Sequence, residues 1–180
     1  RLLGYDIGPI GGVYRATQGL LEEFGEERVI DSPLSENGIL GTAVGMAMRD
    51  CRVVPEIQFM GFFYPSFGQF MYTLVKMYER SGGNLEVPMT VRMPYSGGIK
   101  SSEMHSESTE TYLVHTPACR VVVPSTPYET NGLPAASVRT AAPVLFLAPT
   151  KISRAGPAPL TAAAYPLPAH PPRPATRRDH

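Results

Sequence analysis

Residues 53–94 read VVPEIQFMGFFYPSFGQFMYTLVKMYERSGGNLEVPMTVRMP, and the fold turns on this stretch. It opens with one apolar run, Val53–Phe59, and closes with another, Val87–Pro94. Neither run alternates cleanly between apolar and polar residues, which is the pattern of strands buried on both sides. Between them Phe67, Phe70, Met71, Leu74, Val75 and Met77/Tyr78 recur at i, i+3, i+4 and i+7. That spacing predicts a helix over Phe67–Arg80 with one apolar face. Strand, helix, strand with apolar strands is the repeating unit of a parallel sheet covered on both faces.

The same alternation continues outward. Arg120–Ser125 and Pro143–Ala148 are further strand-like runs, and Ala16–Phe24, Ser35–Arg49 and Pro127–Arg139 are helix-like. The last of these opens Thr126-Pro127-Tyr128-Glu129, a capping box joined to a first-turn proline. Pro134 lies inside it, where a proline costs about 3 kcal/mol, so a kink or a weak point is expected there. The fold class is therefore α/β, a mostly parallel sheet flanked by helices. Right-handed crossovers then place any ligand at the carboxyl ends of the strands.

Composition narrows the function. The 180 residues suffice for one domain with a proper core, and 43% of them are hydrophobic. Sixteen Lys and Arg balance sixteen Asp and Glu, so no global field draws nucleic acid or an anionic membrane towards the chain. The two cysteines, Cys51 and Cys119, cannot build a disulfide framework or a Cys-rich zinc site, and their scarcity fits a reducing compartment. The longest weakly apolar run, Gly38 to Met48, is too short to span a bilayer. The chain opens on Arg1-Leu2-Leu3-Gly4 with no secretory signal and no initiator Met, so a soluble, cytoplasmic domain whose gene product begins upstream is expected. Seven of the 19 prolines fall in residues 155–180, which are otherwise mostly Ala, Leu, Thr and Arg. That composition predicts a disordered tail after a folded unit at 1–154, or out-of-frame reading of GC-rich DNA.

Residue types alone leave the chemistry open. Gly8-Pro9-Ile10-Gly11-Gly12 and Gly97-Gly98-Ile99-Lys100-Ser101 match no phosphate-binding spacing and read as turns. His105 and His115 lack metal-type spacing, so no metal site is expected. His105, in a polar loop between strands, is either a solvated histidine or an active-site acid or hydrogen-bond donor. Glu36, at the mouth of an apolar helix, is either a favourable helix-start charge or a carboxylate facing a ligand over that helix end. Gln58, Phe62 and Phe63 lie at or just after the end of a strand, where aromatics can stack on a heterocycle or simply be buried.

Longer strings carry more. Gly8–Thr17 (GPIGGVYRAT), Arg28–Glu36 (RVIDSPLSE), Glu56–Phe59, Tyr78–Gly83, His105–Glu110, His115–Pro117 and Val121–Tyr128 (VVVPSTPY) follow one another in order. Together they resemble the beta subunit of the decarboxylating component of 2-oxoacid dehydrogenase complexes, over about residues 2–154. The resemblance implies a transketolase-like pyrimidine-binding domain in an α₂β₂ assembly that uses thiamine diphosphate. The alpha subunit would hold the diphosphate and its magnesium, and this domain the aminopyrimidine. Further partners implied are a second beta subunit and the lipoyl-bearing acyltransferase component. Glu36 matches the glutamate that hydrogen-bonds the pyrimidine nitrogen and favours the imino tautomer. Phe62 matches the aromatic packed on the pyrimidine, Gln58 a neighbouring pocket residue, and Leu34 also lines that pocket. His105 matches the loop histidine near the reaction centre, which assists substrate binding or acyl transfer to the lipoyl arm.

Pyruvate is the preferred substrate on the strength of Arg92–Tyr95 and His105–Ser108. Branched-chain 2-oxoacids come second, and a non-catalytic remnant is the alternative class. Several positions depart from the resembled pattern. Tyr5 and Gly68 stand where acids are usual, and Thr140 and Ala142 where a potassium-binding loop has Asp and a polar residue. Pro134 replaces an aliphatic residue, and Ala118-Cys119 replaces Gly-Leu.

Overall fold

The computed structural model describes residues 1–153, so the tail expected at 155–180 lies outside the described residues. Six strands form one sheet: β1 (Leu2–Gly4), β2 (Val29–Asp31), β3 (Val54–Glu56), β4 (Thr90–Tyr95), β5 (Arg120–Val122) and β6 (Val144–Pro149). Their order is β2-β1-β3-β4-β6-β5 and every pairing is parallel, as the apolar runs predict. The longest ladder pairs Thr90 with Val144 through Tyr95 with Pro149. The helices are α1 (Leu20–Phe24), α2 (Glu36–Ala47), α3 (Met77–Arg80), α4 (Glu110–Val114), α5 (Pro127–Arg139) and α6 (Thr150–Ser153). None of these helices is long and apolar enough to cross a membrane.

The expected elements are recovered with instructive differences. Pro127–Arg139 is helical over its whole expected length. Thr126 Oγ1 accepts from the Glu129 N–H at 3.2 Å, while Glu129 Oε2 accepts from Ser125 N and Oγ at 2.7 Å each. Those bonds hold the Glu129 carboxyl below the usual carboxylate range. At the other end Arg52 donates to the carbonyls of Val138 (2.6 Å) and Thr140 (3.1 Å), so a cation closes the negative end of the helix. With both ends tied, Pro134 is accommodated mid-helix. The Ala16–Phe24 helix begins only at Leu20, because Gly19 sits at φ 82°.

Phe67–Arg80 is helical but is not one α-helix. A π turn at Gln69–Thr73 and a 3₁₀ turn at Leu74–Lys76 precede α3. The wide turn sends Phe70, Leu74 and Val75 into the core together, which 3.6 residues per turn would not do as fully. The β2 strand and α4 are absent from the sequence expectation. Both are short, and β2 lies among charged neighbours that mask its apolar pair Val29 and Ile30.

The two faces of the sheet differ. Leu3, Val53, Ile57, Val91, Met93, Leu145 and Leu147 join Ile39, Leu40, Ala43 and Val44 of α2, with Phe63, Phe70 and Leu74, in the main core. On the other face only Leu133, Phe146 and Ala148 form a small cluster beneath α5. Beside it lies a cleft of about 490 Å³ lined by Leu2, Val54, Glu56, Arg92 and Phe146 among others.

Candidate functional site

The strand order changes direction at β1. The chain steps from β1 outward to β2, then returns to place β3 on the other side of β1. Such a switch point leaves a crevice at the carboxyl ends of the two strands. Gln58 bridges that crevice: its Nε2 donates to the Tyr5 carbonyl and to Asp6 Oδ2, each at 3.4 Å. Asp6 holds φ 60° and its carbonyl accepts from Gly12 N at 2.7 Å, which folds the loop after β1 back over the sheet. The next loop is tied in by Ile7 N donating to Asp31 Oδ1 at 3.2 Å.

An aromatic cluster stands beside Gln58. Phe59, almost fully buried, lies three residues beyond β3 and caps the start of the 3₁₀ segment Met60–Ser66. Its ring meets Tyr14 edge-on at 6.3 Å, Phe62 edge-on at 6.0 Å and His105 at 4.8 Å with a tilt of 58°. Phe62 meets His105 edge-on at 5.0 Å and is half-buried, so part of its ring remains open to a ligand. Edge-to-face geometry is the favoured arrangement for such rings.

His105 is therefore half-buried against two phenylalanines rather than solvated. Its Nδ1 lies 3.0 Å from the Glu103 carbonyl and 3.4 Å from Ser102 Oγ. A carbonyl only accepts, so Nδ1 carries the proton in the neutral ring and Nε2 keeps its lone pair. The loop that carries it is closed at its base by Ser96 N donating to the Glu107 carbonyl (3.0 Å). Buried Thr150 fastens it further, its hydroxyl within 3.1 Å of the Ser96 carbonyl and 2.8 Å of the Gly97 carbonyl. Tyr64 Oη adds a bond to Glu107 Oε2 at 3.3 Å.

Gly61 lies directly under this loop. A Cβ there would overlap the Met104 carbonyl oxygen and come within 2.8 Å of Glu107 Cγ. Gly61→Ala is therefore expected to lift the His105 loop at a cost of about 1–3 kcal/mol, readable in urea unfolding and in loss of amide-exchange protection at Ser96.

Glu36 and Leu34 come from the neighbouring element. Ser35 caps α2, its Oγ accepting from Gly38 N at 3.2 Å, and Glu36 follows in the first turn. The Glu36 carboxylate is half-exposed and pairs with no side chain among the described residues. It has the chemistry of a free acceptor in the positive field of a helix start. Leu34 is 63% exposed. The structure thus joins Phe62 and His105 by contact and places Gln58 one residue from their shared neighbour, Phe59. Glu36 opens α2, with Leu34 two residues before it, and α2 packs along the Met60–Ser66 segment. A partly open aromatic face and an unpaired carboxylate are groups that a hydrogen-bonding heteroaromatic ring uses. Among the described residues no three His, Cys, Asp or Glu side chains gather into a metal site.

Two features lie outside the sequence expectation. Phe59, read only as the end of a strand, is the hub of the cluster. Glu56 on β3 and Arg92 on β4, cross-strand partners in register, form the one ion pair among the described residues. Glu56 is 4% exposed and its Oε1 has no hydrogen-bond partner. Burial pushes its carboxyl above the usual range, and Arg92 opposes that push. One charge in each of two apolar runs was the available signal.

Comparison with known proteins bears on this geometry. The family model described as transketolase, pyrimidine binding domain, matches residues 1–154. The chain is 46% identical over 148 residues to the pyruvate dehydrogenase E1 component subunit beta of Leifsonia xyli subsp. xyli (strain CTCB07), covering 82% of this chain and 44% of that one. It is 44% identical over 153 residues to the subunit of the same name in Bacillus subtilis (strain 168), covering 85% and 47%. The 3-methyl-2-oxobutanoate dehydrogenase subunit beta of Mycobacterium tuberculosis (strain ATCC 25618 / H37Rv) is 46% identical over 150 residues, covering 83% and 43%. The chain spans just under half the length of each of these relatives. With a parallel sheet, a switch point between β1 and β3 and a family match over the whole described length, the chain belongs to the transketolase pyrimidine-binding domain family.

Proposed function

We propose that this chain acts as the pyrimidine-binding domain of a 2-oxoacid dehydrogenase beta subunit, preferably for pyruvate, with thiamine diphosphate as cofactor. The observation that carries the reading is the half-open Phe62 ring, held edge-on by Phe59 and His105, at the β3 end of the β1/β3 crevice. When bound, thiamine diphosphate supplies the electron sink for loss of carbon dioxide from a 2-oxoacid. Phe62 offers its face to the pyrimidine, and Glu36 accepts a hydrogen bond from it at the start of α2. Gln58, braced on Tyr5 and Asp6, fixes the crevice wall, and Leu34 covers its outer side. His105 presents a bare Nε2, able to take a proton and return it at the substrate or at the sulfur set free when the incoming lipoyl disulfide opens. The diphosphate and its magnesium belong on an alpha subunit, with a second beta subunit and a lipoyl-bearing acyltransferase completing the assembly, in the cytoplasm.

Co-expression with a cognate alpha subunit, followed by a thiamine-diphosphate titration and a pyruvate-decarboxylation assay, tests this. Saturable cofactor binding with turnover supports the reading. A soluble complex that binds no cofactor and shows no turnover leaves a non-catalytic remnant. A second reading, a branched-chain 2-oxoacid substrate, is favoured by the relative named for 3-methyl-2-oxobutanoate, as similar to this chain as the pyruvate-named ones. Comparison of kcat/KM for pyruvate and 3-methyl-2-oxobutanoate separates the two, since a pocket differing by one or two methylenes discriminates by about 10–200-fold.

A further inference from the structure

We infer that Phe59 is the positioning residue of this site: its ring sets where the His105 imidazole stands and how Phe62 is presented. The inference deepens the functional reading above and rests on it for its catalytic meaning, though not for its geometry.

Phe59 is the one residue that touches every other ring of the cluster. It meets His105 at 4.8 Å, Phe62 at 6.0 Å and Tyr14 at 6.3 Å, and it is only 9% exposed. Its backbone acts as well, since the Phe59 carbonyl accepts from Phe62 N at 2.9 Å and so fixes the turn that aims Phe62. Phe59 itself is anchored by the sheet. Its neighbour Ile57 donates to the Arg92 carbonyl at 3.0 Å, and Glu56 is paired with the Arg92 guanidinium. His105 has no such anchor of its own. It follows Met104, which holds φ 68°, and among the described residues its ring bonds only to Glu103 and Ser102 of the same loop. Those bonds orient Nδ1 within the loop. The loop's other ties, Ser96 N to the Glu107 carbonyl, Thr150 to Ser96 and Gly97, Tyr64 to Glu107 and Gly61 against Met104, hold its backbone and Glu107 and not the imidazole. The Phe59 and Phe62 rings are what the imidazole itself rests on, and Phe62 in turn depends on Phe59. Tyr14 approaches Phe59 from the loop after β1, where Tyr14 and Arg15 both hold positive φ. Phe59 therefore joins three loops, those after β1, β3 and β4, at one ring. Removing that ring while keeping its volume loosens the imidazole without emptying the core.

The experiment uses the full chain labelled at histidine Cε1 with ¹³C, the His105 signal being assigned by its absence in His105→Gln. In the parent, the His105 Hε1 signal is expected away from the exposed His115 signal because of the adjacent ring currents, and it should show cross-relaxation with the Phe59 ring protons. In Phe59→Leu the His105 signal should move towards that of His115 and lose its dispersion, with the melting profile retained. Phe59→Tyr, which restores the ring, should return it. An unmoved His105 signal in a folded Phe59→Leu overturns the proposal. If Phe59→Leu does not fold, the cross-relaxation in the parent decides: its presence upholds the contact and its absence overturns it. None of these readouts needs cofactor or turnover, so failure of thiamine-diphosphate binding leaves them standing. In the co-expressed assembly Phe59→Leu should lower kcat more than it raises KM for pyruvate, and Phe59→Tyr should recover kcat.

Discussion

Arg92→Met should destabilise the fold by about 3 kcal/mol at neutral pH, and the loss should shrink as the solution is acidified. The reason lies in Glu56, which is 4% exposed and, among the described residues, has Arg92 as its only charged partner. Removing one member of a buried pair leaves the other charge uncompensated, which costs about 3–5 kcal/mol. The low end applies because the Arg92 side chain is itself 22% exposed, so water already screens part of the attraction.

Acid relieves that cost for a definite reason. Burial already holds the Glu56 carboxyl above its ordinary value, with Arg92 pulling the other way. Without Arg92 only burial remains, and the folded-state value rises further. A carboxyl whose pKa is higher folded than unfolded binds more protons in the native state between those two values. Stability therefore falls as pH rises from the ordinary carboxylate range through the raised folded value, and levels off above it. Urea unfolding of parent and variant near pH 5 and near pH 7.5 reads this directly. A loss equal at both values would mean that Glu56 is not the group left exposed to the penalty. Glu56→Leu combined with Arg92→Met, which removes both charges from the cleft floor, should recover most of the stability.

How far the sequence carries depends on how local the determining interaction is. α5 is legible to the residue because its start signal, Thr126-Pro127-Tyr128-Glu129, is contained in four positions and forms the bonds it implies. The parallel sheet is legible because apolar runs survive whatever their register. The 67–80 segment is only half legible. Its periodicity reports the buried face, but the π turn answers to the packing of Phe70, Leu74 and Val75 beneath Phe63 and Phe67, which no local pattern encodes. The site divides the same way. Phe62, Gln58 and His105 were singled out from their loop positions and their resemblance to a known pattern, and the structure gathers them around one crevice. A phenylalanine ending a strand reads as core, and only its three ring contacts mark Phe59 as more. Glu56 and Arg92 lie 36 residues apart, so their pairing waits on strand order and register.

The topology also explains why so few charges decide so much. β1 and β3 diverge in the direction of their connections, so the loops after them part. Gln58 holds the gap at a set width through Tyr5 and Asp6, and the main core behind it, with α2 and the 60–66 segment, is tightly packed. If the proposed reading holds, the chemistry on this rigid floor falls to the unpaired Glu36 carboxylate at the start of α2.

Glu36→Gln should accordingly reduce decarboxylation by the assembly with a cognate alpha subunit by about 10²–10⁴-fold, the range for loss of a positioned acid–base group. The substitution keeps size and hydrogen-bonding atoms and removes only the charge. Its structural cost is small, because a carboxylate in the first turn of a helix contributes about 0.3–1 kcal/mol through the dipole. The capping bond from Gly38 N to Ser35 Oγ stays intact. Ser35→Ala provides the contrast: it removes that cap, costs about 1 kcal/mol and leaves the carboxylate in place. If Glu36 works only as a helix-start charge, Ser35→Ala will harm the protein at least as much as Glu36→Gln and turnover will follow stability in both. If Glu36 meets the pyrimidine, Glu36→Gln will retain its melting profile and lose its turnover, while Ser35→Ala will do the reverse. Turnover in Glu36→Gln within a few-fold of the parent would return this residue to the bland reading that its position alone allows.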